Sequence, residues 1–278
     1  MDSSSSVSGI KSVMMTRFMD GVIQDSPDLI TIEAPLQIVL RHGPRNHRQR
    51  SNLALTMRTP GQDDLLVMGY LFTENIIHHK EDILQIRWVK EDEILIELRE
   101  NLKVDLFAQE RNTYINSSCG ICGKNQLDEI KSTIPFVLQR GQPSFGKEDI
   151  LHWTALLSDA QRLFSSTGGI HAAALIANRQ VHAIQEDIGR HNAVDKLIGF
   201  ALNHFPIPLT KMALVVSARA SFELVQKALM AGIPLMAAVG APSSLAIELA
   251  HENAMTLIGF LKEDRFNIYS HPERVILG

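Results

Sequence analysis

The feature that most narrows the fold is a pair of short, almost wholly apolar segments in the second half of the chain, Met212-Ala213-Leu214-Val215-Val216 and Ile233 to Val239. Neither alternates polar with apolar, so each predicts a strand covered on both faces. Helix starts follow both: Ser221 after the first, and Pro242-Ser243-Ser244 before Leu245 to Ala250 after the second. A hairpin precedes them, Ile170 to Ala177 and Val181 to Gln185 around Asn178-Arg179-Gln180, then a helix opened by Gly189. Thr256 to Leu261 and Phe266 to Tyr269 predict the last strands. The order hairpin, helix, strand, helix, strand, helix, strand predicts a three-layer α/β/α domain.

The first half predicts mainly strands: Leu29 to Glu33, Pro35 to Leu40, Ala54 to Thr59, and a hairpin of Ile83 to Val89 with Glu93 to Leu98. An amphipathic helix opens after Gly61-Gln62-Asp63-Asp64. The basic run Arg41 to Arg50 fits a solvated hairpin tip. Apolar residues at helical spacing predict one helix from Asp149 to Phe164. A Pro- and Gly-punctuated stretch, Pro135 to Gly146, sets the expected boundary. The expected organisation is a disordered tail over 1–12, a smaller β-rich α+β N-terminal domain over 13–145, and the α/β domain over 146–278.

That element order resembles the cytidine deaminase fold with its chemistry removed. Zinc deaminases begin one helix with H-x-E and the next with P-C-x-x-C. Here the first junction reads Gly189-Arg190-His191-Asn192-Ala193, with alanine where the glutamate belongs. The second reads Arg219-Ala220-Ser221-Phe222, without cysteine. Deamination and zinc binding in the pocket are therefore not expected. The two junctions still gather Glu186, Asp187, Arg190, His191, Asp195, Lys196, Arg219 and Glu223. Helix N-termini at strand ends attract anions, so a binding pocket is expected there.

The only two cysteines stand in Ser117-Ser118-Cys119-Gly120-Ile121-Cys122-Gly123-Lys124, ahead of a helix start at Asn125 to Ile130. Lys124 and a helix N-terminus both favour thiolate over thiol. Sulfur handling or dithiol redox chemistry is the leading reading. Two cysteines fall short of the four ligands of structural zinc, unless a two-fold dimer or histidines complete the set. A thioredoxin-like site is disfavoured, because its βαβ surroundings are missing.

A net charge of -4 argues against a dedicated nucleic-acid binder. No stretch approaches the roughly 20 apolar residues needed to cross a bilayer. The polar start Met1-Asp2-Ser3-Ser4-Ser5-Ser6 lacks a signal-peptide core, and with reduced cysteines it points to the cytoplasm.

Taken together, Cys119 to Gly123, Thr167-Gly168-Gly169-Ile170-His171-Ala172-Ala173-Ala174, the stretch Glu186 to Lys196 and Arg219 to Glu223 resemble the FdhD family. The resemblance runs from about residue 25 to the C-terminus, and the Glu186–Lys196 stretch is its most specific part. It implies a sulfur carrier required for formate dehydrogenase activity. Such a carrier takes persulfide sulfur from a cysteine desulfurase. It delivers that sulfur to the molybdenum cofactor, bis-molybdopterin guanine dinucleotide, which it binds as cargo. GDP would then bind as a fragment of that cargo.

The resemblance makes Cys119 the persulfide carrier and leaves Cys122 either to assist transfer or to expel sulfur by forming a disulfide. It places cofactor contacts at Phe260, Leu261, Lys262, Glu263, Asp264 and Arg265, where relatives often carry Gly in place of Asp264. Arg190, His191 and Arg219 join them from the pocket. A homodimer is expected. Competing readings are a cofactor-binding chaperone of the apo-enzyme and a dimeric zinc protein.

Overall fold

In the computed structural model, the residues described are 9–100, 102, 104, 134–177 and 179–278. Strands β1 (Ile10–Met19) and β2 (Val22–Thr31) form an antiparallel ribbon. Asp20 and Gly21 turn it, both with positive φ. Asp-Gly is a strong two-residue hairpin signal, yet the alternation around it is weak because most of the ribbon is exposed. The strand expected to start at Leu29 is thus the end of a longer one. Its partner begins at Ile10, inside the segment expected as a tail.

Four strands make the first main sheet: β3 (Ala34–His42), β4 (Gln49–Arg58), β5 (Ile83–Lys90) and β6 (Glu93–Leu98), in the order β4-β3-β6-β5. Helix α1 (Asp63–Thr73) lies between β4 and β5 in sequence. The basic run caps the β3–β4 hairpin, and Arg48 braces it by donating to the Gly43 carbonyl at 2.7 Å.

The second half begins with β7 (Phe145–Gly146), α2 (Lys147–Ala160) and α3 (Arg162–Thr167). The single helix expected from Asp149 to Phe164 is therefore two, broken at Gln161, where ψ of 90° leaves the helical region. Apolar spacing alone does not register such a break, because Leu163 and Phe164 continue the apolar pattern although the second piece buries none of its residues. Next come β8 (His171–Ala177), β9 (Gln180–Asp187), α4 (Arg190–His204) and β10 (Ala213–Val216). After them stand α5 (Phe222–Met230), β11 (Leu235–Ala238), α6 (Ser244–Glu252), β12 (Thr256–Gly259), β13 (Asn267–Ser270) and β14 (Val275–Ile276).

The central sheet runs β13-β12-β11-β10-β8-β9, with β10, β11 and β12 parallel. Alternate residues face opposite layers, as period-two geometry requires. Ala174, Ile176, Val215 and Ala237 pack with Trp153 and Leu157 of α2. Leu175, Val216, Met236 and Ala238 pack in a cluster with α4, α5 and α6. That same cluster continues through α1 into Leu36, Ile38, Ile94 and Ile96 of the four-stranded sheet. The result is a mixed α/β chain in which one apolar core reaches both main sheets.

Helices α1 and α4 join the two halves by a very close crossing. A Cβ on Gly69 would sit 1.8 Å from the Asp195 carbonyl oxygen, and one on Gly199 would sit 2.0 Å from that of Leu65. Only glycine lets the two backbones approach so closely. This contact fixes where the start of α4, and with it the candidate site, sits against α1.

Candidate functional site

The specific stretch Glu186 to Lys196 covers the end of β9 and the start of α4, and most of its charges turn inward. Asp187 is fully buried; its Oδ2 lies 2.7 Å from the Lys196 ammonium. The same carboxylate accepts the Thr59 N–H at 3.2 Å and the Gly189 N–H at 2.9 Å. Lys196 donates to the Thr59 carbonyl at 2.9 Å, and Asn192 donates to the Met57 carbonyl at 2.8 Å. Every polar group in this knot has a partner, which burial demands. The knot clamps the β9–α4 junction onto the end of β4.

Asp195 faces another way, pairing with Lys227 of α5 at 2.9 Å. Glu186 accepts the backbone N–H groups of Leu163 and Phe164, both at 3.0 Å. Of the eight pocket residues expected from sequence, Glu186, Asp187, Asp195 and Lys196 therefore serve internal contacts.

The remaining four stand differently. Arg190 Nε is closed to water without a hydrogen-bond partner among the described residues, and His191 Nε2 and Ser221 Oγ, also closed to water, act on the Glu223 carboxylate. They lie at the first turns of α4 and α5, where backbone N–H groups point outward and favour negative charge. Ser221 is the N-cap expected from sequence, but its side chain makes no capping bond. His191 Nε2 is 3.9 Å from Glu223 Oε2, and hydrogen bonding from His191, with smaller help from the Glu223 N–H and Ser221, draws the Glu223 carboxyl down to about 2 despite its partial burial. Arg219 is exposed. The unpaired Arg190 and the exposed Arg219 near two helix starts suit an anion.

Beside these junctions, along the ends of the strands, opens a cavity of about 710 Å³. Strand ends contribute His171, Ser217 and Val239, and Ser158, Gln161 and Phe164 come from the α2–α3 break. Leu261, Lys262 and Glu263 close it from the segment after β12. This volume is in the range that takes a nucleotide-sized ligand. Half of the expected late segment thus lines the cavity. Leu261 is fully buried, whereas Lys262, Glu263, Asp264 and Arg265 are exposed in a turn closed by Lys262 N–H donating to the Arg265 carbonyl at 2.8 Å. Phe260 is 42% exposed and holds a φ of 52°, an uncommon conformation for an aromatic residue.

Sequence reasoning missed Gln161, Ser158 and Phe164, because their helical spacing marks them only as parts of a longer helix. Cys119 and Cys122, with the helix start expected at Asn125 to Ile130, lie outside the described residues. Among the described residues no three His, Cys, Asp or Glu side chains cluster as metal ligands. Nor is any described helix long and apolar enough to cross a membrane.

His171 carries a pH dependence. Burial lowers its pKa below the usual 6.5, the charges of Arg190 and His191 lower it further, and Asp187 opposes them. A lowered pKa means that the unfolded chain takes up the proton first. The stability tied to neutral His171 is thus full above about pH 6.5 and drains away as pH falls toward the folded-state pKa. Urea midpoints are expected to drop between pH 7 and pH 5, and His171→Asn is expected to flatten that slope. A mutant slope equal to the wild-type slope would remove His171 as the cause.

The sequence model of the FdhD/NarQ family matches residues 31–276 of this chain. Similar curated proteins include a sulfur carrier protein FdhD from Streptomyces coelicolor, 40% identical over 272 residues and covering 94% of each chain. Another, of the same name, comes from Sulfolobus acidocaldarius. It is 39% identical over 269 residues, covering 96% of this chain and 99% of the relative. Among solved structures, one from Desulfotalea psychrophila carries a provisional designation as a formate dehydrogenase accessory protein. It superposes with a TM-score of 0.71 at 20% identity, over 96% of this chain and 100% of that one. At such identity the likeness speaks for the fold alone.

Proposed function

Because this chain belongs to the FdhD/NarQ family, we propose that it carries sulfur for a formate dehydrogenase, loading it on Cys119 and delivering it to a molybdenum cofactor held at the strand-end cavity. The observation that carries the delivery half is the cavity itself. It brings Leu261, Lys262 and Glu263 of the expected cofactor segment together with His171 and Ile188, next to the start of α4. Lys262 and Arg265 suit the phosphates of a guanine dinucleotide, and Arg190 and His191 offer further donors. The cofactor, bis-molybdopterin guanine dinucleotide, is cargo in this reading and not a resident group. The layered α/β/α arrangement, read as a deaminase-like scaffold without its zinc ligands, turns the strand-end pocket from catalysis to binding.

Loading follows thiol chemistry. The Cys119 thiolate attacks the outer sulfur of a desulfurase persulfide. A new S–S bond forms on Cys119, and the desulfurase cysteine leaves as thiolate. Release is balanced by Cys122: its thiolate attacks Cys119 Sγ, a disulfide closes, and the carried sulfur departs as hydrosulfide toward the cargo. A homodimer would set two such cysteine pairs near one bis-pterin cargo.

The test is mass spectrometry of the purified protein after incubation with a cysteine desulfurase and cysteine. Persulfidation adds one sulfur, about 32 Da, to the peptide bearing Cys119. A peptide that gains no sulfur under conditions where the desulfurase turns over would refute the carrier reading and leave a cofactor-binding chaperone.

A further inference from the structure

Ordering a glycine costs more than ordering any other residue, because it has the most conformational freedom to lose. A folded chain keeps one for an internal reason: a positive φ, or a neighbour too close to admit a Cβ. Among the described glycines, all but Gly146 and Gly169 have such a reason. Gly146 is the N-cap of α2, a position that glycine favours over alanine. Gly169 does not hold a positive φ, and it caps no helix. A Cβ built on it would lie 3.8 Å from its nearest neighbours, the Thr167 carbonyl oxygen and Thr31 Oγ1. That is ordinary contact, so alanine fits the free protein without strain.

Gly169 is exposed and lines the strand-end cavity, as does Gly168 before it. Gly168 ends α3 with a φ of 65°, so its own conformation accounts for it. The fold leaves only the second glycine of the pair unexplained. Its N–H makes one long contact, 3.4 Å to Thr167 Oγ1. Lys262 lines the same cavity from the segment after β12. A backbone bared of its side chain, a loosely held N–H and a cation in one cavity suit an oxyanion.

We propose that Gly169 is glycine so that a phosphate of the bound ligand can rest against its backbone, with Lys262 supplying the counter-charge. This role rests on the cavity being the cofactor pocket and adds which part of the chain meets the diphosphate. A phosphate oxygen that accepts the Gly169 N–H stands about 3 Å from the nitrogen. It then lies within van der Waals reach of the Cα, where a Cβ would crowd it. Glycines of dinucleotide-binding turns act in the same way: the missing side chain lets the backbone reach a pyrophosphate.

Calorimetry at low salt on the full chain tests this role, with GDP and guanosine as probes against wild type, Gly169→Ala and Gly146→Ala. Wild type is expected to bind GDP more tightly than guanosine. Gly169→Ala is expected to weaken GDP about tenfold and to leave guanosine within about twofold of wild type. Gly146→Ala adds the same methyl outside the cavity and is expected to leave both affinities unchanged. Without ligand, Gly169→Ala is expected to melt at or above the wild-type temperature, because a fitting alanine has less freedom to lose. Gly169→Ala protein that melts clearly below wild type would reveal an internal need for glycine and overturn the proposal. A loss of GDP affinity of less than about threefold, or guanosine weakened as much as GDP, would overturn the phosphate contact and leave the cofactor pocket standing. Wild type that binds no GDP would overturn the pocket reading, and this role with it.

Discussion

Formate dehydrogenase from cells whose sole copy of this protein carries Cys119→Ala is expected to fall to background activity. The reason is the absence of any substitute for the thiolate. The chain has two cysteines, and only a thiolate both attacks a persulfide and holds the transferred sulfur at neutral pH. Serine at the same position is expected to fail equally, because its hydroxyl is barely ionised near pH 7. Cys122→Ala separates the two halves of the cycle. Cys119 still loads, so the mass gain persists, while release slows and activity falls less. Purified Cys119→Ala protein is expected to keep the wild-type unfolding midpoint, which distinguishes lost chemistry from lost fold. Full formate dehydrogenase activity with Cys119→Ala alone would end the carrier assignment.

The second large effect is on stability and comes from Lys227→Met. Lys227 Nζ is 2.9 Å from Asp195 and 3.1 Å from Glu74, and it donates to Thr73 Oγ1 at 2.8 Å. It also stands 5.4 Å above the Tyr70 ring. Burial works against its charge, but the carboxylates of Asp195 and Glu74 outweigh burial and raise its pKa. Methionine keeps much of the stem's packing and removes the charge, leaving Asp195 buried without its partner. Breaking a buried pair in this way costs about 3–5 kcal/mol. The pair links α1, α4 and α5, so the loss is expected in global urea unfolding. Two companion results follow from the same cause. The cost shrinks as pH falls, since protonating Asp195 removes the uncompensated charge. Lys227→Met with Asp195→Leu is expected to be more stable than Lys227→Met alone. A single mutant within about 1 kcal/mol of wild type would show that the pair is not the tie between these helices.

These two predictions mark the difference between what local sequence carries and what it does not. The CxxC is legible because its chemistry lies in residue type and spacing, and no tertiary contact is needed to recognise a thiol pair. The parallel strands β10 and β11 are legible for a similar reason: complete burial leaves an unbroken apolar run. Ser243 was legible as an N-cap, and its Oγ accepts the Ala246 N–H at 3.3 Å. Ser221 looked identical, yet its hydroxyl makes no capping bond. The same residue type before a helix met two different surroundings.

By itself, then, the sequence determined the strand and helix order from Ile170 to Tyr269, the thiol pair and the specific stretch over residues 186–196. Each is a local pattern of apolar spacing, turn residues or chemical type. Only the tertiary structure decided which charges of that stretch are held by internal partners. Asp187 and Lys196 are held by Thr59, and Asp195 by Lys227, partners more than thirty residues away in the chain. Periodicity cannot show those pairings, because a buried ion pair and a solvated one look alike in one dimension. The break at Gln161 was hidden for the same reason. Spacing reports which face of a segment is apolar, whereas the end of a helix against a cavity is decided by what the rest of the fold leaves open.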